Sequence, residues 1–402
     1  MTDPGLLDIE IPLDRFRRHL LADPGLQRQL SAFDDPADFV PVAVAAAAGA
    51  GIVLSEDELL DTMRPDPLGI ARYSNAPATH LEPPAGDWLP VAIVSAGAEL
   101  GLDWAHFAGR PLRESFFEDS LRQARALPLN RMLKVRTPLS ALAAAVGDDL
   151  PVPDGFIFHL SRCGSTLVSQ MLAADPRNIV LSEAIPIESA VQLAQSNPGV
   201  PIEERVRLLR AIVGALGRDR TGSRRHFVVK LDSWHVFALP LFRLAFPDTP
   251  WVFLYRDPIE ILVSHARMAG MQTVVGVLPH DPYGIPDGET MPLEEYSARA
   301  LGLTAAAAVE HFDLGGGIVI NYAALPQAVE DRILPHFGIV PDAEERAAMA
   351  AAAGRDAKSP LKAFRSDGEE KRRDASPRIR DAAVHLAEPY RRLEALRLAH
   401  EK

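Results

Sequence analysis

From Gly155 onward, short apolar runs alternate with helical stretches: Gly155 to Leu160, Ile179 to Leu181, Phe227 to Leu231, Trp251 to Tyr255 and Ile318 to Asn321. That alternation predicts an α/β fold built on a mostly parallel sheet. In such sheets ligands bind at the carboxyl ends of the strands, so the residues just after each run are where chemistry is expected.

Two of these ends stand out. The first run leads into Ser161-Arg162-Cys163-Gly164-Ser165-Thr166 and then an amphipathic helix from Leu167 to Ala174. A helix N-terminus offers unpaired N–H groups and the positive end of its dipole, Gly164 lets the backbone approach an anion, and Ser165 and Thr166 add donors. Arg162 supplies a cation at the lip. The run ending at Tyr255 is followed by Arg256-Asp257-Pro258 and by Ser264 six residues after the proline. Proline suits the first turn of a helix, so Arg256 is expected at the strand's carboxyl end and Ser264 nearly two turns inside, both within reach of one phosphate. A plainer role for Arg256 is a salt bridge to Asp257 or Glu260.

The paired motifs resemble the sulfotransferases that use 3′-phosphoadenosine 5′-phosphosulfate (PAPS), from about residue 153 to the end of the chain. The resemblance implies a P-loop sulfotransferase-like parallel sheet flanked by helices. It implies that Arg162, Cys163, Gly164, Ser165 and Thr166 bind the 5′-phosphosulfate, and that Arg256 and Ser264 bind the 3′-phosphate. Arg162 stands where many members carry lysine; arginine keeps the charge and adds bidentate donation. Met171-Leu172-x2-Asp175-Pro176 followed by Ser182-Glu183 is similar to tyrosylprotein sulfotransferases, which implies Glu183 as the base for the acceptor hydroxyl. The same enzymes imply that Lys230, at the end of the Phe227 run, helps bind the transferring group. Cytosolic sulfotransferases use a histidine after a comparable strand, which makes His235 the rival base, although Asp232-Ser233-Trp234-His235 also reads as a helix start. A late basic stretch, Lys358 to Arg380, carries eight basic and four acidic residues. Many sulfotransferases fold such a loop over the nucleotide, which implicates Lys358, Lys362 and Lys371; a solvated surface is the plainer reading.

Ahead of this region, Leu13, Phe16, Leu20, Leu26, Leu30, Phe39, Val42 and Ala43 repeat with helical spacing, and helix starts are visible at Asp35-Pro36-Ala37 and Ser55-Glu56-Asp57-Glu58. The pattern resembles the Nif-eleven-type leader domain, related to nitrile hydratase leader peptides; a generic helical bundle is the alternative. Residues 63–85, with five prolines, read as a linker, and the block from Trp88 to Val146 holds strand-like Val91 to Val94, a helix around Glu114 to Ala126 and strand-like Met132 to Val135. The expected division is therefore a small all-α domain at 1–62, a linker and accessory region at 63–150, and the α/β domain at 151–402.

Composition narrows the function classes. The net charge is −12, and residues 1–150 hold 13 Lys and Arg against 22 Asp and Glu. Such a chain is a poor general partner for nucleic acid or anionic membranes. No run reaches the roughly 18 apolar residues of a spanning helix. The single cysteine, Cys163, and the acidic N-terminus fit a cytoplasmic protein. The histidines lack metal-binding spacing, so no metal is expected. The sequence therefore reads as a PAPS-dependent sulfotransferase whose acceptor is unknown, with the leader-like segment pointing to a peptide or a peptide-derived product. Two alternatives remain: an ATP-dependent P-loop kinase, with Asp232 or Asp257 on magnesium, and a noncatalytic peptide-binding protein.

Overall fold

The computed structural model describes residues 11–64, 78–97, 99–145, 150–278, 281–356, 359–363 and 368–400. The chain forms two compact units, Met1–Arg110 with Glu118–Asp149, and Pro111–Phe117 with Leu150–Lys402.

In the first unit, helices span Pro12–Ala22, Pro24–Ser31, Pro36–Gly49 and Glu56–Thr62. Three begin on proline, whose missing N–H would be an orphan there anyway. Asp23 and Asp35 accept hydrogen bonds from the amides just inside their helices, and Ser55 with Glu58 forms a reciprocal capping box. The sheet order is β1 (Ala78–Thr79), β4 (Val135–Pro138), β3 (Glu99–His106) and β2 (Trp88–Ala96). Gln27 joins helices to sheet: its amide donates to Leu20 O and Leu21 O, and its Oε1 accepts from the Trp88 indole at 3.0 Å. Residues 1–62 and much of 63–150 thus lie in one compact unit. The strand expected at Met132 to Val135 begins instead at Val135, because Pro128 starts a short helix that runs to Met132. Most of the proline-rich linker, residues 65–77, lies outside the described residues.

The second unit holds the expected parallel sheet. Its five strands are β5 (Gly155–His159), β6 (Ile179–Ser182), β7 (Phe227–Lys230), β8 (Trp251–Tyr255) and β9 (Gly317–Asn321), ordered β6-β7-β5-β8-β9 with every pair parallel. Helices flank it, and β5, β7 and β8 are buried along their whole length. Phe156 and Phe158 pack edge to face on Phe242, and Phe158 also on Trp251. Ile157 therefore faces the opposite side, as does His159 two residues on. Ile157 pairs in register with Lys230, which pairs in turn with Ser182, so Lys230 shares the His159 face. The last helix, Val384–His400, is tied to the sheet by Glu394, which accepts from the Tyr255 hydroxyl at 2.7 Å and from Asn321 Nδ2 at 2.6 Å.

From β5 the chain winds to one side through β6 and β7, then crosses to the other through β8 and β9. The switch point lies at the carboxyl end of β5, where ligands bind in sheets of this kind.

Candidate active site

The loop after β5 carries the first motif. Arg162 and Gly164 both have positive φ, +59° and +86°, and the helix Ser165–Leu172 starts at Gly164. Gly164 is required twice over: its backbone is left-handed, and a Cβ there would lie 2.8 Å from both Tyr322 and Leu325 side chains. Gly164 offers no side chain to cap this helix; the Ser165 amide meets the Cys163 thiol, and the next amides and the dipole are left to act on an anion. Ser165 and Thr166 are almost buried at that end. Cys163 is fully buried, and burial pushes its thiol up to about 12, so it stays neutral. Arg162 Nη2 donates to Met268 O at 2.9 Å, tying the loop to the end of the helix after β8, and burial draws the guanidinium below its ordinary pKa.

Lys230 closes one flank. It is fully buried at the end of β7, its ammonium bonds Glu183 Oε1, and it sits 5.1 Å from the centroid of the Phe116 ring. Glu183 follows β6 with a left-handed φ of +54°, and its amide donates to Lys230 O. Its side chain keeps 24% of its exposure, so one face of the carboxylate reaches solvent. Burial would raise the Glu183 pKa, but the Lys230 charge, with His159, outweighs it and holds the carboxyl well below the usual range. His159 Nε2 lies 3.6 Å from Glu183 Oε1, while its Nδ1 lies 2.9 Å from Leu160 O.

His235 lies deeper. It is 1% exposed on the 3-10 helix Ser233–Ala238. Its Nε2 bonds Glu188, and its Nδ1 accepts from the Asp232 amide at 3.2 Å. Glu188 also accepts from the Trp234 indole at 2.9 Å. Both His235 nitrogens are engaged, whereas Glu183 presents a carboxylate to solvent. Burial, reinforced by Glu183 and Glu188, raises Asp232 to about 7. One ligand atom from each of Glu188, Asp232 and His235 lies within 4.8 Å of the others, so the three are spaced to hold a metal ion, at the expense of the bonds just described.

Arg256 closes the opposite flank. Because β5 lies between β7 and β8, Lys230 and Arg256 bracket the loop about two strand spacings, ~10 Å, apart. Both charges act on the Cys163 thiol between them. Arg256 is 5% exposed; its Nε donates to Glu260 Oε2 at 2.6 Å, and its guanidinium stacks on Tyr322 with Cζ 3.9 Å from the ring centroid. Pro258 opens the following helix, Pro258–Arg267, as expected, and Asp257 caps it by accepting from the Glu260 amide. Ser264 lies on the same helix, where its hydroxyl donates to Glu260 O at 2.7 Å. Arg256 and Ser264 thus converge on one turn around Glu260, which also takes an ion pair from Arg372.

Within the late basic stretch, the helix Gly368–Asp374 docks on this one: Arg267 Nη2 bonds Glu370 and Asp374, and Lys371 is 7% exposed. Lys362 belongs to the short strand Ser359–Ala363, and Lys358 lies outside the described residues. Just beyond Met268, residues within 272–278 and 281–296 line a cavity of about 510 Å³ with valines, Ile285, two tyrosines and the carboxylates of Asp281, Asp287 and Glu289. Among the described residues no helix is long and apolar enough to cross a membrane.

Sequence reasoning missed three participants, His159, Tyr322 and Arg372, whereas the ion pair of Arg256 with Glu260 is the plainer role it offered for that arginine. A polar residue ending an apolar strand was a visible signal for His159. Tyr322 and Arg372 come from segments 66 and 116 positions away from Arg256, and no local pattern marks them.

No family model matches the chain, and no curated protein matches it. Solved structures similar to it include the sulfotransferase domain from the curacin biosynthetic pathway, at 15% identity over 60% of this chain and 99% of that one, with a TM-score of 0.39. A sulfotransferase from Alicyclobacillus acidocaldarius is similar at 17% identity over 62% and 96% of the two chains, with a TM-score of 0.36. One from Mycobacterium tuberculosis is similar at 20% identity over 54% and 76%, with a TM-score of 0.31.

Proposed function

We propose that the chain is a cytoplasmic PAPS-dependent sulfotransferase that transfers a sulfuryl group to a hydroxyl or amine of its acceptor. The observation that carries this reading is the bracketing of one helix N-terminus by Lys230 and Arg256, with a partly solvated carboxylate, Glu183, beside the lysine. This donor set fits a nucleotide with phosphates at both ends. The loop amides, Ser165, Thr166 and Arg162 would hold the 5′-phosphosulfate, and Arg256 with Ser264 the 3′-phosphate; Lys362 is assigned to the nucleotide by resemblance alone.

The donor, when bound, supplies the sulfuryl group and a 5′-phosphate leaving group. Lys230 and the loop amides are placed to stabilise charge growing on the leaving oxygen. Glu183 faces solvent on the same side and takes the proton from the acceptor. The cavity of about 510 Å³ beyond Met268 is the assigned acceptor pocket, and the leader-like helices motivate a peptide or peptide-derived acceptor.

The Glu188, Asp232 and His235 cluster keeps the kinase reading open as the second choice, because magnesium has candidate ligands there. Incubation with radiolabelled PAPS and a panel of tyrosine-containing peptides, phenols and amines, with and without chelator, tests both. Metal-independent label transfer supports the proposal. Transfer of the γ-phosphate of ATP that requires magnesium would replace it.

A further inference from the structure

His159 has no part in the mechanism above, yet its setting is specific. It ends β5, is 5% exposed, and projects from the same face of the sheet as Lys230. Nδ1 lies 2.9 Å from Leu160 O. A carbonyl oxygen only accepts, so Nδ1 carries the hydrogen and donates it, which leaves Nε2 of the neutral ring with a lone pair. That nitrogen is buried without a hydrogen-bond partner, and it faces Glu183 Oε1 at 3.6 Å. A buried polar atom without a partner is uncommon in a folded protein and calls for a reason.

We propose that His159 is a positioning residue that acts through Glu183 and forms the terminus of its proton path; this rests on the transferase reading. The carboxylate of Glu183 has Lys230 on Oε1, an arrangement that fixes its orientation but disfavours retention of a proton. The acceptor O–H bond breaks as its oxygen forms a bond to sulfur. The S–O bond to the 5′-phosphate breaks with its electron pair going to that phosphate, and the proton passes to Glu183 and then to His159 Nε2. The imidazolium keeps its Nδ1–H bond to Leu160 O and gains Glu183 as an ion-pair partner. No oxidant, metal or further reactant is needed. The charged or titratable groups around the pair are Lys230 on β7, Asp232 and His235 on the turn that follows it, and Glu188, which is bonded to His235.

The test has two arms on the full chain. In the first, ¹⁵N-histidine NMR reads the His159 tautomer, with the signal assigned by its loss in His159→Asn. The Nδ1–H tautomer is expected; an Nε2–H tautomer overturns the pairing. In the second, PAPS turnover with 4-nitrophenol is compared between wild type and His159→Asn, which keeps a donor for Leu160 O. A fall in kcat of ~10²-fold with KM for PAPS within twofold supports the proton path. Wild-type kcat in His159→Asn, or loss in KM alone, overturns it. A wild type that neither binds adenosine 3′,5′-bisphosphate nor turns over PAPS sinks the transferase reading, while the NMR arm still decides the His159–Glu183 pair.

Discussion

The two flanks of the loop after β5 are built from the same kind of pair, a buried cation on a glutamate, yet they differ in one respect. On the β7 flank the lysine is sealed and the Glu183 side chain is 24% exposed. On the β8 flank both partners are sealed, Arg256 at 6% and Glu260 at 7%, and Arg372 adds a second cation to Glu260. A carboxylate that meets solvent on one side and a fixed charge on the other is equipped to exchange protons with a substrate. One enclosed between two arginines is equipped to hold an arginine still. The same chemistry thus divides into a reacting flank and a binding flank.

The sharpest way to break this comparison is to neutralise each glutamate. Glu183→Gln should lower kcat by ~10²- to 10⁴-fold while leaving bisphosphate affinity nearly intact, as read by turnover and calorimetry. Lys230→Met comes next. It should depress kcat and also cost about 2–3 kcal/mol of stability in denaturant melts, because Glu183 loses the charge that offsets its burial; partial solvation of Glu183 keeps the cost below that of a fully buried orphan. Gly164→Ala should weaken bisphosphate binding and cost about 1–3 kcal/mol, through left-handed strain and the close approach of Tyr322. Glu260→Gln should raise KM for the donor by roughly tenfold, the equivalent of ~1.4 kcal/mol, with kcat retained. A kcat loss matching that of Glu183→Gln would erase the distinction between the flanks.

The smallest effect concerns Asp232. Its carboxyl is raised to about 7, above the unfolded value near 4, so it loses stability for the fold as pH rises through that window. Glu183 and Glu188 act oppositely: held low, they lend stability that is lost only as pH falls below about 4. Asp232→Asn should therefore stabilise the protein by about 1 kcal/mol at pH 8 and by less at pH 4, measured as paired denaturant midpoints.

Much of the frame was legible because it is local. The runs at Trp251 to Tyr255 and Phe227 to Leu231 are continuous apolar stretches bounded by turn residues, and they became β8 and β7. Asp35-Pro36 and Ser55-x2-Glu58 state their helix starts in four residues or fewer. The position of Glu183 beside the loop was also legible, since a residue just past a strand end must lie at the sheet's carboxyl edge. What pairs with what was not. The contact of Lys230 with Glu183 depends on the register of β6 against β7. The enclosure of Glu260 depends on Arg372 arriving from a helix 112 residues later. Likewise, Met132 looked like strand because apolar residues surround it, whereas Pro128 fixed the local backbone as helix.

The central claim is that the loop after β5 and the Arg256 flank together bind a nucleotide phosphorylated at both ends without metal. Isothermal calorimetry of adenosine 3′,5′-bisphosphate against ATP with magnesium, on wild type and on Arg256→Ala, tests it most directly. The account predicts metal-independent bisphosphate binding that weakens by ~10²-fold or more in Arg256→Ala. Binding of magnesium ATP in place of the bisphosphate, or bisphosphate binding indifferent to Arg256, would contradict it.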